Sequence, residues 1–355
     1  MAMTIPTEPI GSVPRPDYLI EAMVAHGAGR LDDAELGRAT ERAVAETIAA
    51  MEATGSPIVT DGEQSKPSFA TYPLAGLATL SPDGVVIPFD DGHTRQLPVL
   101  TAGPFRYTTY SGSYVAAAKV HAGQPVKQAV IAPSAISLIY PQDGIEGYSR
   151  DAFLADLVNE CEKDMRSAFD AGADSVQIDF TEGRLCCKLD PSRGLLRDFV
   201  ALNNQVLARF SDAERARIGV HTCPGGDQDS THSADVDYAE LLPDLFGINA
   251  GRFFVQMASE ADRPRALDIV ARERRARQTV YVGVTDPIDP RVETAGEVCE
   301  RILEAAEHLG AEGLGSTDDC GFSPFGDDVS TARETAFAKI RARVEGTKLA
   351  EARLR

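Results

Sequence analysis

The chain has 355 residues, 43% hydrophobic and 25% charged, which suits one large α/β barrel with insertions or two small domains and excludes a disordered chain. A net charge of −19, with no basic cluster larger than Arg272–Arg277 on a predicted helix, argues against nucleic acid or an anionic membrane surface as partner. Six cysteines are too few for a disulfide scaffold and no stretch reaches the roughly 18 apolar residues of a membrane span, so a cytoplasmic protein with free or metal-ligating thiols is expected.

The opening MAMTIPTEPIGSVPRP has neither a basic leader nor an apolar run of signal length. Ile10–Val13 reads as a first short strand, and apolar residues at helical spacing predict a helix over Asp32–Thr54, stopped by Gly55. Ile58–Gln64, IVTDGEQ, reads as a buried strand whose end turns polar. The segment from Phe69 to Gly123 is irregular and rich in Tyr, Gly and Thr, with alternating pieces such as Gly84–Phe89. It is expected to be an insertion carrying a hairpin or two, a lid over the site in one reading. From Val126 onward strands and helices alternate: strands at Val126–Ile131, Ser175–Phe180, Ile218–Cys223, Arg252–Met257, Thr279–Val284 and Gly313–Thr317. Predicted helices lie at Asp151–Ala171, Gly194–Phe210, Tyr238–Leu245, Arg265–Arg275, Glu293–Leu309 and Thr331–Glu345. Eight strands in this alternation predict a single (β/α)8 TIM barrel over residues 1–355, with 69–123 inserted after the second strand.

The polar residues gather just after strands, where such a barrel places its active site. In RIGVHTCPGG, His221 and Cys223 alternate with Thr222, so a strand presents both on one side. Cys320 in STDDCGF follows a later strand, and a His/Cys/Cys set suits Zn2+ with one position open. Structural Cys and His residues would give the same pattern. Gln256 ends an intervening strand and reads as a further ligand or as a hydrogen-bonding residue of the barrel mouth. Glu63 and Asp179 read as substrate-binding or acid–base carboxylates, or as partners of helix caps, Arg15 or Arg184. Ser12 beside Gly11 can hold a substrate oxyanion, or simply make a turn. The loop after Cys223 carries His232 and four aspartates without EF-hand spacing, so a substrate loop is expected there rather than a cation site. Cys161 and Cys299 lie in helices and read as core, and the adjacent Cys186 and Cys187 are poorly placed to share a metal.

Taken together, TEPIGSVPRP, TDGEQ, VQIDF, GVHTCPGG, VYVGVTDP and DDCGF resemble, in order and spacing, the catalytic half of cobalamin-independent methionine synthase. The resemblance spans nearly the whole chain and is weakest over 69–123; with one barrel rather than two, the chain is similar to the short members. It implies zinc on His221, Cys223 and Cys320, and a thiol substrate on Ser12, Glu63 and Asp179. Three departures stand out: Gln256 where the family has a zinc-ligating glutamate, Phe180-Thr181 where Glu-Pro usually follows the aspartate, and no histidine after the seventh strand. Asp286 is the nearest ionisable residue to that last position, and either it or His232 is expected to pass a proton to the leaving group.

The resemblance therefore implies a zinc-dependent thiol S-alkyltransferase, with methyl transfer from a methylated folate to homocysteine as the first expectation. Epoxide opening by coenzyme M or another thiol, as in the single-barrel epoxyalkane:coenzyme M transferases, is the alternative. Gln256 and the missing histidine favour that alternative; with Gln256, a less anionic centre acidifies a bound thiol but leaves it less nucleophilic and suited to a reactive electrophile. A decarboxylase similar to the uroporphyrinogen enzyme would have no use for the cysteines, and a non-catalytic zinc- or folate-binding protein is a further alternative. Partners are then a small thiol and an alkyl donor; the sequence leaves oligomeric state open, a homo-oligomer included.

Overall fold

The computed structural model describes residues 4–354. Six strands form one all-parallel sheet in chain order, Lys127–Ile131, Ser175–Asp179, Ile218–Thr222, Arg252–Val255, Thr279–Gly283 and Leu314–Thr317. They are apolar and β-branched for the most part, and nearly every residue in them is buried, as expected of strands covered on both faces. Helices follow in the predicted order, among them Asp33–Ala53, Arg150–Asp170, Gly194–Leu207, Arg263–Glu273, Ala295–Leu309 and Arg333–Arg353. Reciprocal capping boxes start two of these, Asp32 with Glu35 and Thr294 with Glu297, satisfying amides that the helix itself leaves free.

The first two barrel positions differ from expectation. Ile10–Val13 is not a strand, and the first segment instead touches the sheet by a single parallel bridge, Thr7 to Ser316. The second keeps only Val59 paired with Val126. Pro6, Pro9, Pro14 and Pro16 explain the first loss, because proline has no N–H to give to a ladder. In the second, the backbone turns away at Gly62 and Glu63, both at positive φ. The two segments nevertheless close the circle: Val13 N–H donates to the Gly62 carbonyl at 3.1 Å, and Thr60 Oγ1 to the Gly11 carbonyl at 2.8 Å. The fold is a (β/α)8 barrel with six regular strands and two reduced to irregular bridging segments.

After Val59 the chain builds an irregular insertion. Leu80–Ser81 pairs with Val99–Leu100 and, nested within, Val86–Pro88 pairs with Thr94–Gln96, both antiparallel. The inner hairpin lies over the loop that follows Cys223. Asp90 N–H donates to the Thr231 carbonyl at 2.9 Å, and His93 Nε2 lies 3.1 Å from Asp227.

The lower barrel interior is polar. Glu8 Oε1 accepts from Arg252 at 2.9 Å and from the Tyr281 hydroxyl at 2.8 Å, while Lys127 Nζ lies 3.6 Å from Glu8 and 3.9 Å from the centre of the Phe254 ring. Higher up, Arg343 of the closing helix is fully buried and donates to Asp318, two residues before Cys320, at 3.0 Å.

Candidate metal centre and cavity

His221 lies on the Ile218–Thr222 strand, in register with Asp179 on one side and Phe254 on the other. Cys223 follows two residues on, so the pleat aims both side chains the same way. Cys320 comes from the turn after Leu314–Thr317. One donor atom from each of the three lies within 4.8 Å of the others, and the sulfurs are 3.0 Å apart. Both ring nitrogens of His221 are buried and lack a hydrogen-bond partner among the described residues. Buried imidazoles normally have a partner, so this one suits a cation. A nitrogen and two sulfurs facing one point are the donor set of a three-ligand zinc site, and the residues present fit that ion.

The electrostatics agree. Donation from Cys320 holds the Cys223 thiol well below its ordinary range, with burial opposing and His221 assisting, while the same contact and burial push Cys320 up. Burial presses on His221 to lose charge, but the adjacent Cys223 raises it overall. The pair is thus arranged to carry one thiolate readily, and a cation between them would favour the second.

Ser12, Glu63, Asp179, His221, His232 and Cys320 all line one cavity of about 360 Å³. Glu63 is held by a buried ion pair to Lys66 at 2.8 Å, and Lys66 also donates to the Ala129 carbonyl at 2.9 Å. Asp179 accepts from Gln177 at 2.7 Å, and burial pushes it up to about 6. Ser12 Oγ accepts from Ser323 N–H at 3.3 Å and packs so close to Gly321 that a Cβ there would lie 2.2 Å from it. His232 fits only because Gly225 has no side chain: a Cβ would stand 1.7 Å from its Nε2. Burial lowers this histidine to about 4, and its Nδ1 lies 2.6 Å from Ser233 Oγ.

Two expected residues lie elsewhere. Gln256 and Asp286 line a separate, narrow cleft that shares Cys320 with the main cavity. Both ends of the Gln256 amide are engaged, the oxygen accepting from Arg184 at 3.1 Å and the nitrogen donating to Ser259 at 2.8 Å. To ligate a metal, its oxygen would have to give up Arg184. Asp286 accepts from Ile288 N–H at 3.0 Å.

Three residues were missed in the sequence. Lys66 is three residues beyond Glu63 in the polar end of IVTDGEQSK, which was a readable signal. Asp319 accepts from the amides of Met257, Ala258 and Ser259 and from Ser259 Oγ, all within 2.8 Å, and so ties the Cys320 turn to the loop beginning at Gln256. Gly283 leaves room for it, since a Cβ there would be 1.8 Å from Asp319 Oδ1. Arg95 of the hairpin reaches Asp227 and Asp327.

Fold and site together define a (β/α)8 protein whose strand C-terminal rim gathers an imidazole and two thiols around one point above a polar-floored cavity. The chain belongs to the cobalamin-independent synthase family, catalytic-domain type, which its residues 5–346 match. It is 23% identical over 351 residues to a methionine synthase of Sulfurisphaera tokodaii, covering 99% of this chain and 94% of that protein. It is 22% identical over 351 residues to one of Saccharolobus islandicus, covering 99% and 96%. The fold matches a B12-independent methionine synthase from Shewanella sp. W3-18-1, solved in complex with selenomethionine, with a TM-score of 0.78, 19% identity and 99% coverage of each chain. No helix among the described residues is long and apolar enough to cross a membrane.

Proposed function

We propose that this chain is a zinc-dependent thiol S-alkyltransferase that methylates homocysteine or a close amino thiol. The reading rests on one observation: the three donors converge within 4.8 Å beside the cavity that Ser12, Glu63 and Asp179 also line. His221, Cys223 and Cys320 would hold Zn2+, which when bound supplies the positive charge that lets a substrate thiol ionise near neutral pH.

The chain's own residues do the rest. Glu63, fixed by Lys66, and Asp179, fixed by Gln177, are preset acceptors for a substrate ammonium. The Ser12 hydroxyl, anchored at Ser323, is placed for the carboxylate end. His232 is a neutral ring above pH about 4, so it can take up a proton but is a weak source of one. Membership of a methionine synthase family supports homocysteine as the acceptor.

The alternative acceptor, a thiol ending in a sulfonate, needs a free cation. Arg95, the one Arg or Lys lining the cavity among the described residues, gives its nitrogens to Asp227 and Asp327. An ammonium-bearing thiol is therefore favoured. The same proposal treats residues 1–355 as one cytoplasmic barrel domain, with 69–123 an insertion that roofs the site. Zinc analysis and homocysteine methylation test it together. Cys223→Ala and Cys320→Ala should lose both, and wild-type zinc content in both variants would refute the ligand assignment.

A further inference from the structure

Arg15 is 3% exposed and does not line the cavity, but two residues that it holds do. Among the described residues it faces no carboxylate at ion-pair distance, and its hydrogen bonds go to backbone carbonyls instead. Nη2 donates to the Glu63 carbonyl at 2.8 Å and to the Lys66 carbonyl at 2.7 Å, while Nη1 donates to the Phe325 carbonyl at 2.9 Å. Burial presses this guanidinium to lose its charge, with the Glu63 and Asp61 carboxylates opposing from further off. A buried cation whose fork is given to three carbonyls of two distant segments fixes a geometry rather than neutralising a charge.

The turn held in this way is strained. Glu63 has a φ of 58°, in the left-handed region that a residue with a Cβ avoids. Gly62 before it also has a positive φ, and a Cβ there would stand 2.6 Å from Thr47 and 2.7 Å from Val13. Such a turn persists only where its surroundings dictate it. Asp61 Oδ1 accepts from Glu63 N–H at 2.9 Å, Lys66 N–H donates to the Glu63 carbonyl at 3.1 Å, and Arg15 shares that carbonyl. Beyond the turn the chain pairs with the loop after Cys320: Phe69 N–H donates to the Pro324 carbonyl at 3.0 Å, and Gly326 N–H to the Pro67 carbonyl at 2.9 Å. The Ser12 carbonyl accepts from Phe322 N–H of the same loop at 3.0 Å. Arg15 is thus the side chain at which the segments carrying Ser12, Glu63 and Phe325 meet, and all three of those residues line the cavity.

We infer that Arg15 is a positioning residue for amine recognition: it holds the strained Glu63 turn so that this carboxylate meets a substrate ammonium, and thereby sets the preference for a thiol that carries an amino group. The inference rests on the thiol-alkylation reading above. Arg15 itself touches no substrate, and no chemical step passes through it. Lys66 fixes the Glu63 side chain, whereas Arg15 fixes the backbone from which that side chain starts. A lysine in its place would keep the charge, but its single nitrogen could not span carbonyls that Nη1 and Nη2 reach separately.

The test compares two thiols on zinc-loaded protein by calorimetry, homocysteine and γ-mercaptobutyrate, which is homocysteine without its amino group. The wild type should bind homocysteine more tightly, and Glu63→Gln should lower that affinity ratio by about tenfold or more, the loss of one charge-assisted contact. Arg15→Lys should lower the ratio by about fivefold or more through homocysteine alone, with γ-mercaptobutyrate affinity kept within about twofold and zinc stoichiometry unchanged. In a Glu63→Gln background Arg15→Lys should change the ratio no further, since both act on one contact. Equal weakening of the two thiols, an unchanged ratio, or a further fall in that background would each overturn the inference. Far-UV circular dichroism checks that each variant is folded, and if Arg15→Lys is not, Arg15→Gln, which keeps an amide donor, is held to the same ratio. A wild type that loads zinc and binds neither thiol, or a ratio that Glu63→Gln leaves intact, sinks the substrate reading itself. A ratio lowered by Glu63→Gln but not by the Arg15 variants sinks only the inference.

Discussion

Two buried polar clusters occupy this barrel, one at the N-terminal ends of the strands and one at the opposite rim. The lower cluster pairs opposite charges: Glu8 Oε1 accepts from Arg252 and Tyr281, and Lys127 lies 3.6 Å from Glu8 and over the Phe254 ring, although Lys127 Nζ and Glu8 Oε2 make no hydrogen bond among the described residues. The upper one offers no such pair, because among the described residues both His221 nitrogens lack partners beside two sulfurs 3.0 Å apart. Buried polar groups that neutralise one another hold a fold together, whereas soft donors that converge on one point suit a shared cation. Both clusters are largely buried, so the distinction is whether opposite charges face one another, as Lys127 and Glu8 do, or only potential metal donors do.

The comparison can be broken at either end. At the rim, Cys223→Ala or Cys320→Ala should lower thiol alkylation by about a thousandfold or more while the far-UV circular dichroism of the barrel is kept, because the lower core is untouched. At the base, Glu8→Ala should do the reverse. It leaves Lys127 buried without its counter-charge and should cost about 3–5 kcal/mol in urea unfolding, with zinc stoichiometry of the folded protein unchanged. A loss of zinc in Glu8→Ala would show that the clusters are not independent.

A subtler test of the base uses pH. Burial pushes Lys127 down to about 8, with Glu8 pulling the other way. The unfolded chain, with an ordinary lysine, holds that proton more tightly between about pH 8 and 10, so this residue's contribution to stability rises with pH across that window. The full effect is on the order of 3 kcal/mol, and Lys127→Met should remove it from the stability profile. A wild-type profile that matches the variant's would mean that the ammonium is not strained. The smallest effect is expected for Asp319→Asn, whose amide cannot accept from all four donors. Zinc affinity should fall by about tenfold as the Cys320 turn loosens, with little change in melting temperature.

What the sequence made legible follows the same division. Six strands were readable because their apolar runs need only local pattern, and the HxC alternation announced two of the donors. The prolines around Thr7 were visible, yet reading Ile10–Val13 as a strand ignored their missing N–H groups. Lys66, Arg95 and Asp319 act through partners chosen by the fold: Lys66 reaches Ala129, Arg95 reaches Asp227 and Asp327, and Asp319 reaches back to residues 257–259. The Arg95 and Asp319 pairings leave no spacing signal, whereas Lys66 stands three residues beyond its partner Glu63. Gln256 reads as a ligand position by its place in the chain, but its oxygen is turned to Arg184, a contact that only the packed barrel reveals.

The central claim is that an imidazole and two thiolates share one zinc ion with room for a substrate sulfur. X-ray absorption at the zinc edge of the loaded protein addresses it directly. Two sulfurs at about 2.3 Å and one nitrogen near 2.0–2.1 Å are expected, with a third sulfur appearing when homocysteine is added. A shell of oxygen and nitrogen alone, or a sulfur count that homocysteine leaves unchanged, would contradict the account.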